Sequence, residues 1–405
     1  MIDLRPHIRP GDGVWWGQGS AEPEPLVDAL LDQAGDLGPL RAFSGLTWNP
    51  RLGTDVPESI SVVSYGGLGE LRRLSRAGRL EVVPCHYSAL PRLFAQRRLP
   101  CDVALVQVSA PDRAGTVSLG IGVEYVADAL PHARTVIAEV NERMPSTAGT
   151  PRISLSAFAA VVETDRPLRE APVRDPDDVD RAIAAHVATL VEDGDTLQMG
   201  VGALPDAVLD ALAGHADLGI HSGMITGKVL DLVDKGVITG ARKEIDRGIV
   251  VTGAALGDAV TYRRLAGRPV EFRPASYTHA PSVLAQLSCL VSLNSALEVD
   301  LSGQVGAEVG RGVHVGAVGG QVDFSRAAAL TGARSIIALR SESGGASTVV
   351  RQLSGPVTTA RTDVDAVVTE HGVAMLTGCG LAERARRLTA VAAPAHRDQL
   401  ARAHP

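Results

Sequence analysis

The residues with the clearest chemical use in this sequence are glycine pairs set between an apolar run and a helical one. Gly200-Val201-Gly202 follows the strand-like run 195–199, and Ala203 and Leu204 lead into a helical pattern over 205–213. Without Cβ atoms, such a loop lets the backbone come close to a ligand, and the helix start behind it offers unpaired N–H groups to an anion. Pro205 falls in the first helical turn, where its missing N–H is not needed. The same pattern also serves a plain tight turn, so the loop alone leaves both readings open. Pro205 takes the place of a third glycine, which argues against a dinucleotide fingerprint. A further cluster, Gly316 to Gly320 followed by Gln321, reads as an oxyanion or carboxylate cradle or as a connecting loop. Gly344-Gly345 reads as a loop as well.

Other polar residues carry less on their own. His221 and Ser222 follow the short run 218–220, where a histidine is a base or simply part of the core. Asn141 closes the run 135–140, at the kind of strand end where α/β proteins place ligand contacts; a capped strand end gives the same sequence. Cys85 and His86 are adjacent, and neighbours on a strand face opposite ways, so they do not form a thiol–base pair. His314 and His371 lack partners at metal-ligand spacing, and no metal is expected.

Positioning such loops requires strands and helices in alternation. Apolar runs at 14–17, 60–65, 80–84, 103–108, 135–140 and 157–162 read as buried parallel strands. A Pro- and Asp-rich stretch over 165–178 then interrupts the pattern. It begins again with a helix over 179–192, strands over 195–199, 249–251, 335–339 and 366–369, and helices over 228–235, 381–391 and 397–403. The break divides the chain into domains 1–175 and 176–405. Gly17-Gln18-Gly19 before Pro23 and Gly200-Val201-Gly202 before Pro205 share one layout, which reads as a duplicated strand, glycine loop and helix.

Composition supports an α/β chain with two cores. At 405 residues the sequence exceeds what one core usually serves, and 45% of it is hydrophobic while only 3% is aromatic. A net charge of -7, from 39 basic and 46 acidic residues, supplies no surface for nucleic acid. The 4 cysteines lie far apart, which fits a reducing compartment rather than a disulfide framework. No uncharged run approaches the about 18 residues a membrane helix needs, so a cytoplasmic protein without membrane contact is expected.

Taken together, several segments resemble the acetyl-CoA hydrolase/transferase family, and within it the 4-hydroxybutyrate CoA-transferase type. They include the runs 83–94, 102–109, 138–145, 200–208, 218–222, 294–304, 319–324 and 367–372. The resemblance implies two related open α/β/α domains of the CoA-transferase (NagB/RpiA-like) type and a homodimer. It implies an acyl-CoA thioester as substrate, with a small-molecule acceptor. Gly200, Val201, Gly202, Ala203 and Leu204 match the CoA-contacting loop, and Gly319, Gly320 and Gln321 match the second glycine loop near the thioester. His221, Ser222 and Asn141 match positions in the catalytic region. In this family a glutamate attacks the acyl-CoA carbonyl and a glutamyl-CoA thioester follows.

The sequence departs from that pattern at its reactive centre. Gly219-Ile220-His221-Ser222-Gly223-Met224 places Gly223 where the resemblance implies the nucleophilic glutamate. Ala148 stands in place of a family histidine, and the loop 341–345 lacks a lysine usual before its glycines. A transferase that works without a glutamyl-CoA intermediate is the expected function, with direct passage of the acyl group favoured by the space a missing side chain leaves. The alternatives are an acyl-CoA thioesterase and a non-catalytic acyl-CoA-binding or partner subunit.

Overall fold

A computed structural model describes residues 2–172, 174–310 and 312–402. The chain forms two compact units. The first comprises residues 1–172, 251–278 and 314–317, and the second 173–250, 279–313 and 318–405. The two excursions of the chain back into the first unit had no counterpart in the sequence reading, which placed one boundary at 175.

The first unit is built on a seven-stranded sheet. Its strands are β1 (Gly13–Trp16), β2 (Leu40–Phe43), β3 (Ile60–Ser64), β4 (Leu80–Val82), β5 (Val103–Ser109), β6 (Thr135–Asn141) and β7 (Ala160–Thr164), in the order β4-β3-β2-β1-β5-β6-β7. Every pairing is parallel. All seven residues of β5 are buried, as a central strand covered on both faces requires. Helix α1 (Glu24–Asp32) buries Leu26, Val27, Leu30 and Leu31 in the core with Leu40, Val62 and Val103. Strand β2 escaped the sequence reading because exposed Arg41 interrupts its short apolar run.

The second unit carries a six-stranded sheet. Strands β8 (Thr196–Met199), β9 (Gly219–Ile220), β10 (Leu290–Asn294), β11 (Arg334–Ala338) and β12 (Ala366–Thr369) run parallel in the order β9-β8-β10-β11-β12. Strand β13 (Gly372–Met375) closes the edge antiparallel to β12. Helix α2 (Asp178–Ala188) starts on a capping box made by Asp177 and Asp180 and packs against α3 (Ala203–Ala211). Helix α4 is Gly227–Asp234, and α5 (Gln321–Thr331) lies on β10 and β11. Helix α6 (Leu381–Val391) packs on β13 and is followed by α7 (Pro394–Ala401), close to the helix expected over 397–403, of which residue 403 lies outside the described residues.

The run 249–251 was expected in the second domain. It appears as the short strand Val250–Thr252, paired only with Val270–Phe272 outside either large sheet. Gly344 and Gly345, at φ +58 and +77, form the two-residue turn of the hairpin between Glu342–Ser343 and Ala346–Ser347. Positive φ at both central positions is what a tight hairpin turn needs. Among the described residues no helix is long and apolar enough to cross a membrane.

Candidate active site

In the second unit the parallel strands deliver the candidate residues to one edge, the carboxyl ends of β8, β9, β10 and β11. Ligands bind at this edge in open α/β sheets because loops and helix starts converge there. Strand β8 ends at Met199 and the chain turns through Gly200, Val201 and Gly202 into α3. Gly202 adopts φ +125, a conformation L side chains rarely reach, so its glycine is required by the turn. Ideal Cβ atoms at Gly200 and Gly202 would meet nothing within 4 Å. The loop is therefore open. A cavity of about 250 Å³ lies over it, lined by residues 200–205, 293–295 and Ala338.

Beneath this cavity is a small amide network that the sequence reading missed. The Gln198 amide donates to Asn294 Oδ1 at 3.2 Å, Asn294 Nδ2 donates to Ser292 Oγ at 2.9 Å, and Ser292 Oγ donates to Gln198 Oε1 at 2.9 Å. Gln198 and Ser292 are buried, while Asn294 reaches the cavity wall. Polar residues at alternate positions of an otherwise apolar central strand, Ser292 and Asn294, were the available signal.

The next strand end supplies His221, Ser222 and Gly223. His221 and Ser222 have no exposed surface. The His221 N–H donates to Leu197 O at 3.1 Å, extending the parallel pairing beyond β9. The Ser222 hydroxyl donates to Met199 O at 3.1 Å, which ties it to the start of the Gly200 loop. Ser222 thus holds two strand ends in register. Gly223 itself is half-buried, and it does not border free space. A Cβ there would stand 2.8 Å from Cε1 and 2.9 Å from Nε2 of His279. The expected room for a bulkier acceptor is not present, because an imidazole fills it.

Gly319 and Gly320 lead into α5, repeating the arrangement of glycines before a helix. Gly319 takes φ +52 with open space at its Cβ position, while a Cβ on Gly320 would come within 2.5 Å of His279 Nε2. The Gln321 amide donates to Thr359 Oγ1 at 3.1 Å. His279 is 4% exposed and meets the Phe324 ring of α5 edge to face, with centroids 5.0 Å apart. Burial, reinforced by nearby His221, pushes its imidazole down to about 3.

Asn141 belongs to the first unit. Its amide donates to Gln107 Oε1 at 2.8 Å and to Arg166 O at 3.0 Å, and its carbonyl accepts from the Arg143 and Arg166 backbone. These bonds cap β6. Thus 200–204, 221–223 and 319–321 are linked within the second unit through Ser222 and His279, and Asn141 is not among them. His279 had no place in the sequence reading. Among the described residues no group of three or more His, Cys, Asp or Glu is placed to hold a metal ion.

Residues 3–168 match the acetyl-CoA hydrolase/transferase N-terminal domain, and residues 257–404 the C-terminal domain of the same family. The 4-hydroxybutyrate coenzyme A transferase of Clostridium kluyveri is 42% identical over 338 residues, covering 82% of this chain and 79% of its own. The crystal structure of RipA from Yersinia pestis is 36% identical with a TM-score of 0.90, covering 98% of this chain and 94% of that one. A 4-hydroxybutyrate CoA-transferase from Porphyromonas gingivalis is likewise 36% identical, over 98% and 93% of the two chains, with a TM-score of 0.82. The chain belongs to the acetyl-CoA hydrolase/transferase family.

Proposed function

We propose that this protein is a transferase acting on an acyl-CoA thioester, and that it works without a glutamyl-CoA intermediate. Its site is the carboxyl edge of the second sheet. One observation carries this reading: the Gly200 to Pro205 loop is open over a cavity, while residue 223 offers hydrogen and faces an imidazole rather than presenting a carboxylate. Backbone N–H groups at a helix start suit the anionic portions of CoA or the oxyanion of a reacting carbonyl. A carboxylate acceptor is supported by the CoA-transferases among the relatives. The same reading carries a homodimer and a cytoplasmic location, the first checked by light scattering and the second by fractionation.

The test is incubation with acetyl-, butyryl- and 4-hydroxybutyryl-CoA, followed by intact-mass measurement and calorimetry. Saturable binding is expected, with thioester exchange into added free carboxylate and no CoA-sized adduct on the protein. A CoA adduct that borohydride removes would overturn the mechanism. Failure to bind any acyl-CoA would overturn the function.

A further inference from the structure

The second unit holds another cavity, of about 550 Å³, lined from the hairpin strand Ala346–Ser347, the short strand Val349–Val350 with Arg351, and helix α7 with Arg402. It shares no lining residue with the cavity over the Gly200 loop. Its volume lies within the about 300–1,000 Å³ of small-molecule sites. Val349 and Leu400, both buried and part of one apolar core, form its apolar surface. The charged lining is of one sign. Arg351 and Arg402 stand there with His396 and without an aspartate or glutamate, in a chain of net charge -7. The nearby hairpin acid, Glu342, is engaged by His396 Nε2 at 2.8 Å, a contact that also ties α7 to the hairpin. Other arginines of this region serve the fold. Arg340 pairs with Asp177 at 2.7 Å and with Asp180 at 2.8 Å, and Arg397 donates to Ala392 O at 2.9 Å. Arg351 and Arg402 are exposed, and among the described residues neither guanidinium has an ion-pair partner. An incoming anion therefore meets two cations without displacing a carboxylate.

We propose that this cavity is a second ligand site and that it takes a nucleoside phosphate. Arg351 and Arg402 hold the phosphate, and Val349 and Leu400 receive the base. A guanidinium presents its N–H donors in a planar fork that matches phosphate oxygens two at a time. Two such cations answer the roughly -1.5 to -2 charge of a phosphate monoester near neutral pH, which a single carboxylate does not carry. Inorganic phosphate would use the cations and leave the apolar surface idle, whereas a nucleotide has a charged end for one and a flat ring for the other. Gln399, exposed on α7, adds an amide donor and an acceptor for the edge of a base. The site does not require an acyl-CoA at the Gly200 loop. A free nucleotide and the nucleotide end of a CoA molecule offer the same chemistry, and competition separates them.

The experiment is calorimetric titration of the full chain with ADP, with inorganic phosphate, and with ADP in the presence of saturating butyryl-CoA. ADP is expected to bind at least ~10-fold more tightly than inorganic phosphate, because only ADP covers the apolar surface. Arg351→Ala and Arg402→Ala are each expected to weaken ADP about 10-fold, the effect of losing one charged hydrogen-bonding partner. Their urea midpoints are expected to match the parent's, since both side chains are exposed. Arg98→Ala, likewise exposed but in the first unit, is expected to leave the Kd within about twofold, which separates a site from a general loss of positive charge. ADP affinity unaffected by butyryl-CoA identifies a free nucleoside phosphate as the ligand. Displacement of ADP by butyryl-CoA identifies the nucleotide end of CoA, and either result upholds the site. An absence of ADP binding overturns it, as does binding that the Arg351→Ala/Arg402→Ala double variant leaves within about twofold of the parent. Those failures leave the acyl-CoA transferase reading standing, because neither arginine lines the cavity over the Gly200 loop.

Discussion

Two loops of one layout, Gly17-Gln18-Gly19 in the first unit and Gly200-Val201-Gly202 in the second, have been put to different uses. In the first, the side chain between the glycines fills the strand edge. Gln18 donates to the Tyr87 hydroxyl at 3.0 Å and to Glu124, and its carbonyl accepts from the Tyr65 hydroxyl at 2.8 Å and from Leu46 N at 2.9 Å. The packing is close enough that a Cβ on Gly45 would lie 2.1 Å from Gln18 Oε1, and one on Gly19 3.1 Å from Leu256. In the second, Val201 leaves the edge open and both glycines border space. A strand edge plugged by its own polar side chains supports the fold. One left bare of them has backbone N–H groups to offer a ligand.

The sharpest way to break this contrast is Gln18→Ala. It removes partners from two buried hydroxyls, a backbone N–H and the Glu124 carboxyl. At roughly 1–3 kcal/mol for each buried group left unsatisfied, a loss of about 3 kcal/mol or more in urea unfolding is expected, with acyl-CoA affinity unchanged in the folded fraction. A loss of affinity without a loss of stability would reverse the assignment of the two loops. Next comes Gly202→Ala, which forces a side chain to φ +125. The open space means no clash, so the cost is backbone strain of about 1–3 kcal/mol, and calorimetry is expected to show butyryl-CoA binding weakened at least ~10-fold as the loop rearranges. Binding unchanged at that position would remove the loop from the site.

The plugged edge also predicts a pH dependence. Burial pushes the Glu124 carboxyl up to about 7 against the hydrogen bonds from Tyr87 and Gln18, and Glu22, bonded by Thr47 and Asn49, is raised to about 7 as well. Between about pH 4.5 and 7 the folded chain keeps these protons and the unfolded chain releases them. Stability is therefore greatest at the acid end of that window, falls as pH rises through it, and levels off above 7. Glu124→Gln is expected to shrink the fall in urea midpoint between about pH 5 and pH 7.5, since an amide has no proton to lose. An equal fall in parent and variant would show that Glu124 does not titrate in this window. Smallest is Gly200→Ala, whose φ is ordinary and whose Cβ meets nothing. Its stability is expected to stay within about 0.5 kcal/mol of the parent, so any change in Kd for butyryl-CoA reports the ligand's approach directly.

Much of the scaffold was legible because parallel strands buried on both faces must be continuous apolar runs, as in 103–108 and 135–140, and because glycine pairs mark strand-to-helix turns. Strand β10 was not read, since Ser292 and Asn294 break its apolar run to build the network under the cavity. Strand β13 was missed because it joins by a tight turn at Gly372, with φ +133, rather than by the helical crossover the pattern implied. The two returns of the chain to the first unit leave no mark in composition, because short segments can change units without a linker.

At the site the sequence by itself determined which loops carry glycine and that residue 223 supplies no carboxylate, for these are facts of residue type and local backbone. Only the tertiary structure decided what the glycines are for. His279 lies 56 positions after Gly223 and 41 before Gly320 in the chain, and no periodicity or local propensity links them. Their relation is one of excluded volume, an imidazole occupying the space of two absent side chains, and excluded volume is fixed only when distant segments pack together.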